Sequence, residues 1–172
     1  MNFEAAILDE CHEYYHTYIN KVRAGDVFTR LHDQMAETQQ FFAGLSEEKG
    51  LHRYASGKWS IKEVAGHIAD AERVFSFRAM SFARGETTPM PSMDQNIYVD
   101  NGAFDNRTIA SLAEELKGLR EANIALFQSL SNEALARQGT ASGNVFSVRS
   151  LVFIIAGHER HHLDILKEKY LG

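Results

Sequence analysis

Lys58-Trp59-Ser60-Ile61-Lys62-Glu63-Val64-Ala65-Gly66-His67-Ile68-Ala69-Asp70-Ala71-Glu72-Arg73 is the stretch from which the fold can be read. Ser60 and Glu63 stand at the spacing of a capping box, in which each side chain accepts from the other residue's backbone N–H, and Trp59 and Val64 fit the hydrophobic staple around it. The pattern predicts a helix from there to about Arg84, stopped by Gly85. Its inward stripe carries Ile61, Val64, His67, Ile68, Ala71, Val74, Phe75 and Phe82. One member of an otherwise apolar face is a histidine.

Three further helices are expected around it. Asp26 is a plausible N-cap for a stripe of Val27, Leu31, Met35, Phe41, Phe42 and Leu45. Leu112, Leu116, Leu119, Asn123, Leu126 and Leu130 alternate by fours and threes from a start near Thr108, the seam pattern of a helix bundle. Asn123 is the polar member of that seam, either setting the register or marking a buried polar site. Ser147 caps the last helix, with Phe146 and Leu151 placed as a staple, and that helix runs to about Lys169. A shorter amphipathic helix over 5–20 precedes the bundle, with Cys11, Tyr14, Tyr15 and Tyr18 on its apolar side. No stretch alternates convincingly enough for a strand, and there is no internal repeat.

Residues 85–106 have no helical pattern, and Pro89 and Pro91, the only two prolines, both lie there. A connection that long is unusual in a compact domain. It suits a crossover that lets consecutive helices run parallel. The expectation is an all-α, single-domain four-helix bundle over 1–172, up-down-down-up, with the long crossover between helices 2 and 3.

Composition narrows the function. The chain is 44% hydrophobic and 24% charged with a net charge of −5, and no basic cluster offsets it, which argues against a nucleic-acid surface. No apolar run reaches membrane-spanning length, and the N-terminus lacks a signal-peptide pattern. With Cys11 as the single cysteine, no internal disulfide can form. A cytoplasmic protein without membrane or nucleic-acid partners is expected.

The chemistry concentrates in Gly157-His158-Glu159-Arg160-His161-His162. Residues four apart on a helix differ by about 40° of rotation and about 6 Å of rise, so His158 and His162 project from one face and can chelate one ion. A metal needs at least a third ligand. His67 lies roughly 10 Å into its helix, and the His158–His162 pair roughly 14 Å from the end of the last one. If those two helices are antiparallel, the three imidazoles meet near one mouth of the bundle. The crossover topology makes them antiparallel. His161 is open between a residue behind a ligand, an alternative ligand and a surface group. His12, His16, His32 and His52 share no geometry, although His52 precedes helix 2 at the proposed mouth.

Two rival metal patterns are also present in the sequence. His158-Glu159-Arg160-His161-His162 matches H-E-x-x-H, but the chain ends ten residues later and shows no sheet to hold a peptide. Glu13-x-x-His16 and Glu159-x-x-His162 would be two units of a di-iron bundle, yet partner glutamates are not evident.

Taken together, the Lys58–Arg73 stretch, Phe82-Ala83-Arg84-Gly85 and Gly157–His162 resemble the DinB-like (DinB/YfiT) superfamily over the whole chain. The resemblance implies a four-helix bundle with a long connection between helices 2 and 3. It also implies a divalent metal held by three histidines, matching His67, His158 and His162. Members are assigned as metal-dependent hydrolases, others are thiol-dependent S-transferases or a mycothiol-dependent isomerase, and many are dimers. A homodimer acting on a small molecule is the corresponding expectation here, with a low-molecular-weight thiol as a candidate co-substrate.

Three neutral histidines leave a coordination position open, as catalytic sites do. Such a donor set suits zinc, nickel, iron or manganese. Candidate catalytic residues are Asp70, three from His67 and able to hydrogen-bond a ligand imidazole; Arg78, on nearly the same face; and Glu159, a base or an outward charge. Asp94 and Tyr98 in the crossover are candidates to cover the mouth. The reading from another class is a non-catalytic, metal-stabilised bundle that serves in binding or dimerisation.

Overall fold

A computed structural model describes residues 7–171. Among them, helix α1 spans His16–Ile19, α2 Val27–Ala43, α3 Glu47–Gly50, α4 Ile61–Ala83, α5 Gln95–Gly102, α6 Ile109–Gln128, α7 Asn132–Ala136 and α8 Val148–Ile165. The four long helices begin on the caps that their sequences offer. Asp26, Ser60, Thr108 and Ser147 each accept from the backbone N–H three residues on. At Ser60 the capping box is complete, because Glu63 also accepts from the Ser60 N–H at 2.8 Å. Gly85, at φ 90°, turns the chain out of α4.

Side-chain bridges fix the helix directions. Gln34 donates to the Ala156 carbonyl and Thr38 to Glu159, so α2 and α8 ascend together. Arg120 reaches the Leu31 carbonyl and Gln39 the Ala113 carbonyl, so α6 runs against α2. The Tyr170 hydroxyl donates to the Trp59 carbonyl while His67 meets His158, so α4 runs against α8. The topology is therefore up-down-down-up, as the long crossover requires. No helix is long and apolar enough to cross a membrane among the described residues.

Three local features differ from the sequence reading. The segment before α2 is not one helix: Ile7–Glu10 and Glu13–Tyr15 are 3-10 turns and only His16–Ile19 is α-helical. Residues 5 and 6 of the expected helix lie outside the described residues. The crossover contains α5, started by Asp94, which accepts from Asn96 and Ile97 N–H. A two-stranded hairpin, β1 Gln138–Ala141 and β2 Asn144–Ser147, forms where no strand was expected. Its turn places both Ser142 (φ 52°) and Gly143 (φ 75°) in the left-handed region, the turn geometry that suits a strand twist. Four-residue strands are too short to show alternation. Met90 of the crossover pairs with the hairpin on both sides, accepting from Ser142 N–H and donating to the Thr140 carbonyl.

The buried interior divides in two. One apolar cluster gathers Phe82, Phe127, Phe146, Leu151 and Ile154. The other gathers Ile61, Ile68, Leu112, Leu116 and Leu163. A polar layer buried between the long helices sets Arg120 against two carboxylates: it bonds both oxygens of Glu72 at 2.9 Å and stands 2.8 Å from Glu159 Oε2. Asn123 donates to Glu72 at 3.0 Å and Thr38 to Glu159 at 2.6 Å. All four long helices contribute to this layer.

Two glycines admit other segments close to α4 and α8. A Cβ on Gly66 would sit 2.3 Å from the Phe104 ring, and one on Gly157 would sit 2.2 Å from the Tyr18 carbonyl oxygen. The second neighbour is backbone, which cannot swing away. Gly157→Ala is therefore expected to destabilise by about 1–3 kcal/mol in urea unfolding, although alanine favours a helix by about 0.8–1.0 kcal/mol over glycine. An unchanged midpoint would show that α1 is not seated on α8. Arg120→Met leaves two buried carboxylates without a cation and is expected to cost about 3–5 kcal/mol. Adding Glu72→Gln to Arg120→Met should recover part of that loss in the same unfolding measurement.

Candidate metal centre

His67 points from the second turn of α4, and His158 and His162 point from successive turns of α8. Their Nε2 atoms converge. His158 Nε2 stands 3.1 Å from His67 Nε2 and 3.1 Å from His162 Nε2, and the three candidate donor atoms lie within 4.8 Å of one another. His67 and His158 are buried, and His162 nearly so. Burial pushes His67 down to about 4 and His162 down to about 3, and burial with the neighbouring imidazoles pushes His158 well below the usual histidine range. All three are neutral at physiological pH, the form in which imidazole ligates a metal.

The donor set fits a cation better than it fits itself. Each neutral imidazole has one N–H and one lone pair, so three converging Nε2 atoms cannot all be satisfied by hydrogen bonds among themselves. His67 Nδ1 is buried without a partner, so His67 gains nothing on its other side. Two imidazole nitrogens at about 2.0–2.1 Å from a tetrahedral ion stand about 3.3–3.4 Å apart, close to the observed spacing.

His67 and His158 also line a cavity of ≈ 230 Å³. Tyr14, Tyr15 and Tyr18 line it from the N-terminal segment, Ala71, Val74, Phe75 and Arg78 from α4, and Met93 and Gln95 from the crossover. Tyr18 packs edge-on against His158 at 5.4 Å and against His161 at 5.3 Å. Trp59 covers His67 from the other side at 4.9 Å between ring centroids.

A family model for the DinB superfamily matches residues 30–166. The chain belongs to the DinB superfamily. It is 28% identical over 124 residues to OB0413 of Oceanobacillus iheyensis, a candidate metal-dependent hydrolase, and the match covers 72% of this chain and 71% of that protein. Its fold is shared with YfiT from Bacillus subtilis, described as a probable metal-dependent hydrolase with an unusual four-helix bundle topology. The two superpose with a TM-score of 0.75 at 17% identity, over 83% of this chain and 82% of that one.

Within this DinB superfamily bundle, the three histidines read from sequence are brought together, whereas the accompanying candidates separate. Asp70 does not orient His67: its carboxylate pairs with Arg73, and His67 Nδ1 has no partner. Glu159 is neither an outward charge nor a base at the centre, because it is buried against Arg120 and Thr38. That placement also removes the protease reading, which needs the glutamate beside the metal. Arg78 does reach the cavity. His161 is half-buried on Tyr18, and the converging set is His67, His158 and His162 without it. His52 stacks edge-on with Tyr170 and is not part of the converging set. In the crossover, Met93 and Gln95 line the cavity, while Asp94 caps α5 and Tyr98 lines a neighbouring groove.

The sequence reading missed Tyr14, Tyr15 and Tyr18 as cavity walls and Glu72 with Arg120 as a buried pair. Asn123 was the signal for the pair: a polar residue in an apolar seam had to face polar company. For the tyrosines, three aromatic residues within five positions were visible but had no predicted partner.

Histidines held neutral in the fold but free to protonate when unfolded make stability pH-dependent. As pH falls below about 6.5, the unfolded chain takes up protons that the native site refuses, so stability falls. Metal-free protein is expected to melt at progressively lower temperature between pH 6.5 and 5, above the carboxylate range. A His67→Gln variant should show a shallower slope; an equal slope would mean that the centre is not responsible.

Proposed function

We propose that His67, His158 and His162 hold one divalent cation and that the chain is a metal-dependent hydrolase acting on a small molecule bound in the adjoining cavity. The observation that carries this is the convergence of three neutral Nε2 atoms, with His67 and His158 on the wall of one cavity and His162 on the wall of a neighbouring groove. The description of OB0413 as a candidate metal-dependent hydrolase and of YfiT as a probable one supports it. When bound, such an ion supplies Lewis-acid activation of a carbonyl and of water.

The chain's own residues do the rest. Ala71, Val74 and Phe75 present an apolar wall that excludes water from the substrate body. Burial raises Tyr15 and Tyr18 above the usual phenol range, so both keep their protons. A protonated phenol is a donor, suited to an oxygen that gains charge in the transition state. No carboxylate lines the cavity among the described residues, so no Asp or Glu there serves as general base.

Metal analysis of purified protein is expected to give one equivalent per chain, lost in His158→Ala and His67→Ala. Unchanged stoichiometry in either variant would sink the site. Activity is then read on a panel of esters and amides, with and without chelator. Chelator-sensitive turnover by water supports hydrolysis. Turnover that appears only when a low-molecular-weight thiol and an electrophile are added would make the reaction an S-transfer. Bound metal with no turnover in either panel would leave a metal-stabilised binding module.

A further inference from the structure

Two arginines are buried among the described residues, and their surroundings are opposite. Arg120 is compensated twice, by Glu72 and Glu159. Arg78 has no carboxylate partner. Its Nη2 donates to the Pro91 carbonyl at 2.7 Å and to Ser142 Oγ at 3.1 Å, both neutral. A guanidinium has five N–H donors in a planar fork, and Nε and Nη1 of Arg78 meet no acceptor among the described residues. No Asp or Glu lines either the histidine cavity or the groove on its other side, which Arg78 also borders.

A buried cation without a counter-charge is destabilising, and an apolar residue of similar volume would fill the position without that penalty. The two acceptors hold the guanidinium in place, tying it to the crossover and to the hairpin turn. Phe75 lies between this charge and the centre: the guanidinium carbon is 5.9 Å from its ring centroid, which is 6.0 Å from the His158 ring centroid. Arg78 and His158 are thus at most about 12 Å apart, a span set by those two contacts.

We propose that Arg78 is the anchor for a carboxylate on the substrate, so that the molecule taken into this cavity is a small monoanion with an apolar body lying on Phe75 and its reacting group at the histidines. The location of the reacting group rests on the proposed hydrolase reading; the anion anchor does not. A carboxylate matches the two parallel N–H donors of an arginine fork. One cation balances one negative charge, whereas a phosphate monoester would bring nearly two. The cavity, at ≈ 230 Å³, is below the usual range for drug-sized ligands of about 300–1,000 Å³, which also favours a small acid.

The test uses chelator-treated full-length protein, so that no metal can bind the acid. Calorimetric titration compares 4-phenylbutyrate with 4-phenylbutyramide, its neutral counterpart, at neutral pH. Wild type is expected to bind the acid at least tenfold more tightly than the amide. Arg78→Met should erase that preference, and Arg78→Lys, which keeps the charge without the fork, should retain part of it. Thermal melts of both variants separate loss of recognition from loss of fold, and the wild-type comparison stands even if Arg78→Met does not fold. Equal affinity for acid and amide, or binding of neither at millimolar concentration, overturns the anchor. So does a folded Arg78→Met variant that keeps the preference. Acid preference in a protein that fails the metal analysis would retain the anchor and reject the hydrolase; one equivalent of metal without acid preference would do the reverse.

Discussion

Arg120 and its two carboxylates are the constraint on which the rest of the molecule depends. The guanidinium is buried on α6 between Glu72 of α4 and Glu159 of α8, with Thr38 of α2 closing the network. Buried ion pairs contribute little net stability, because desolvation offsets most of the attraction. Their effect here is on geometry. A rotation of α8 that turned Glu159 away would strand a charge in the interior, and His158 precedes it in sequence. A similar rotation of α4 would strand Glu72, and the same helix carries His67. The layer therefore holds the rotational setting of both helices that supply the histidines, at a depth where apolar packing alone would tolerate slippage.

Around that frame, close approach makes the walls. Gly66 and Gly157 each precede a histidine of the centre and each leave room for a foreign segment: Phe104 of the crossover against α4, and the Tyr18 backbone against α8. The N-terminal turns and the crossover are the least regular parts of the chain, yet they supply the tyrosines, Met93 and Gln95 that turn an exposed bundle face into a cavity. Rigid helices carry the converging nitrogens, and irregular segments shape what reaches them.

How much of this was legible in sequence follows from the range of each interaction. Caps are local: Asp26, Ser60, Thr108 and Ser147 bond three residues ahead, and all four helix starts could be read. The His158–His162 spacing is equally local. The third histidine needed one inference about direction, which the long crossover supplied. The ion layer was not legible because Glu72, Arg120 and Glu159 are charged residues far apart in sequence, and each alone reads as solvated surface. On α6 the leucine seam indicated the buried side only approximately. Arg120, Ile124 and Phe127 are buried, whereas Leu119, Leu126 and Leu130 are half-exposed. The leucine seam packs on the two clusters, and the helix is rolled slightly so that Arg120 is enclosed beside it. The hairpin escaped because its strands are four residues long and its turn opens on a serine in a conformation serine seldom adopts.

The interior holds two unlike charged sites. The layer of one arginine and two glutamates carries a net negative charge among the long helices, and Arg78 carries a positive charge on the wall of the cavity that His67 and His158 also line. A divalent cation held by three neutral imidazoles would have no ligand charge to neutralise it, and the net negative layer would offset part of its charge through an interior where Coulomb interactions are stronger than in water. With Arg78 on the cavity wall and no Asp or Glu among the lining residues, the proposed anionic ligand would be held there by its carboxylate. An acid held that way lies along Phe75 and presents the group remote from its carboxylate to the histidine centre.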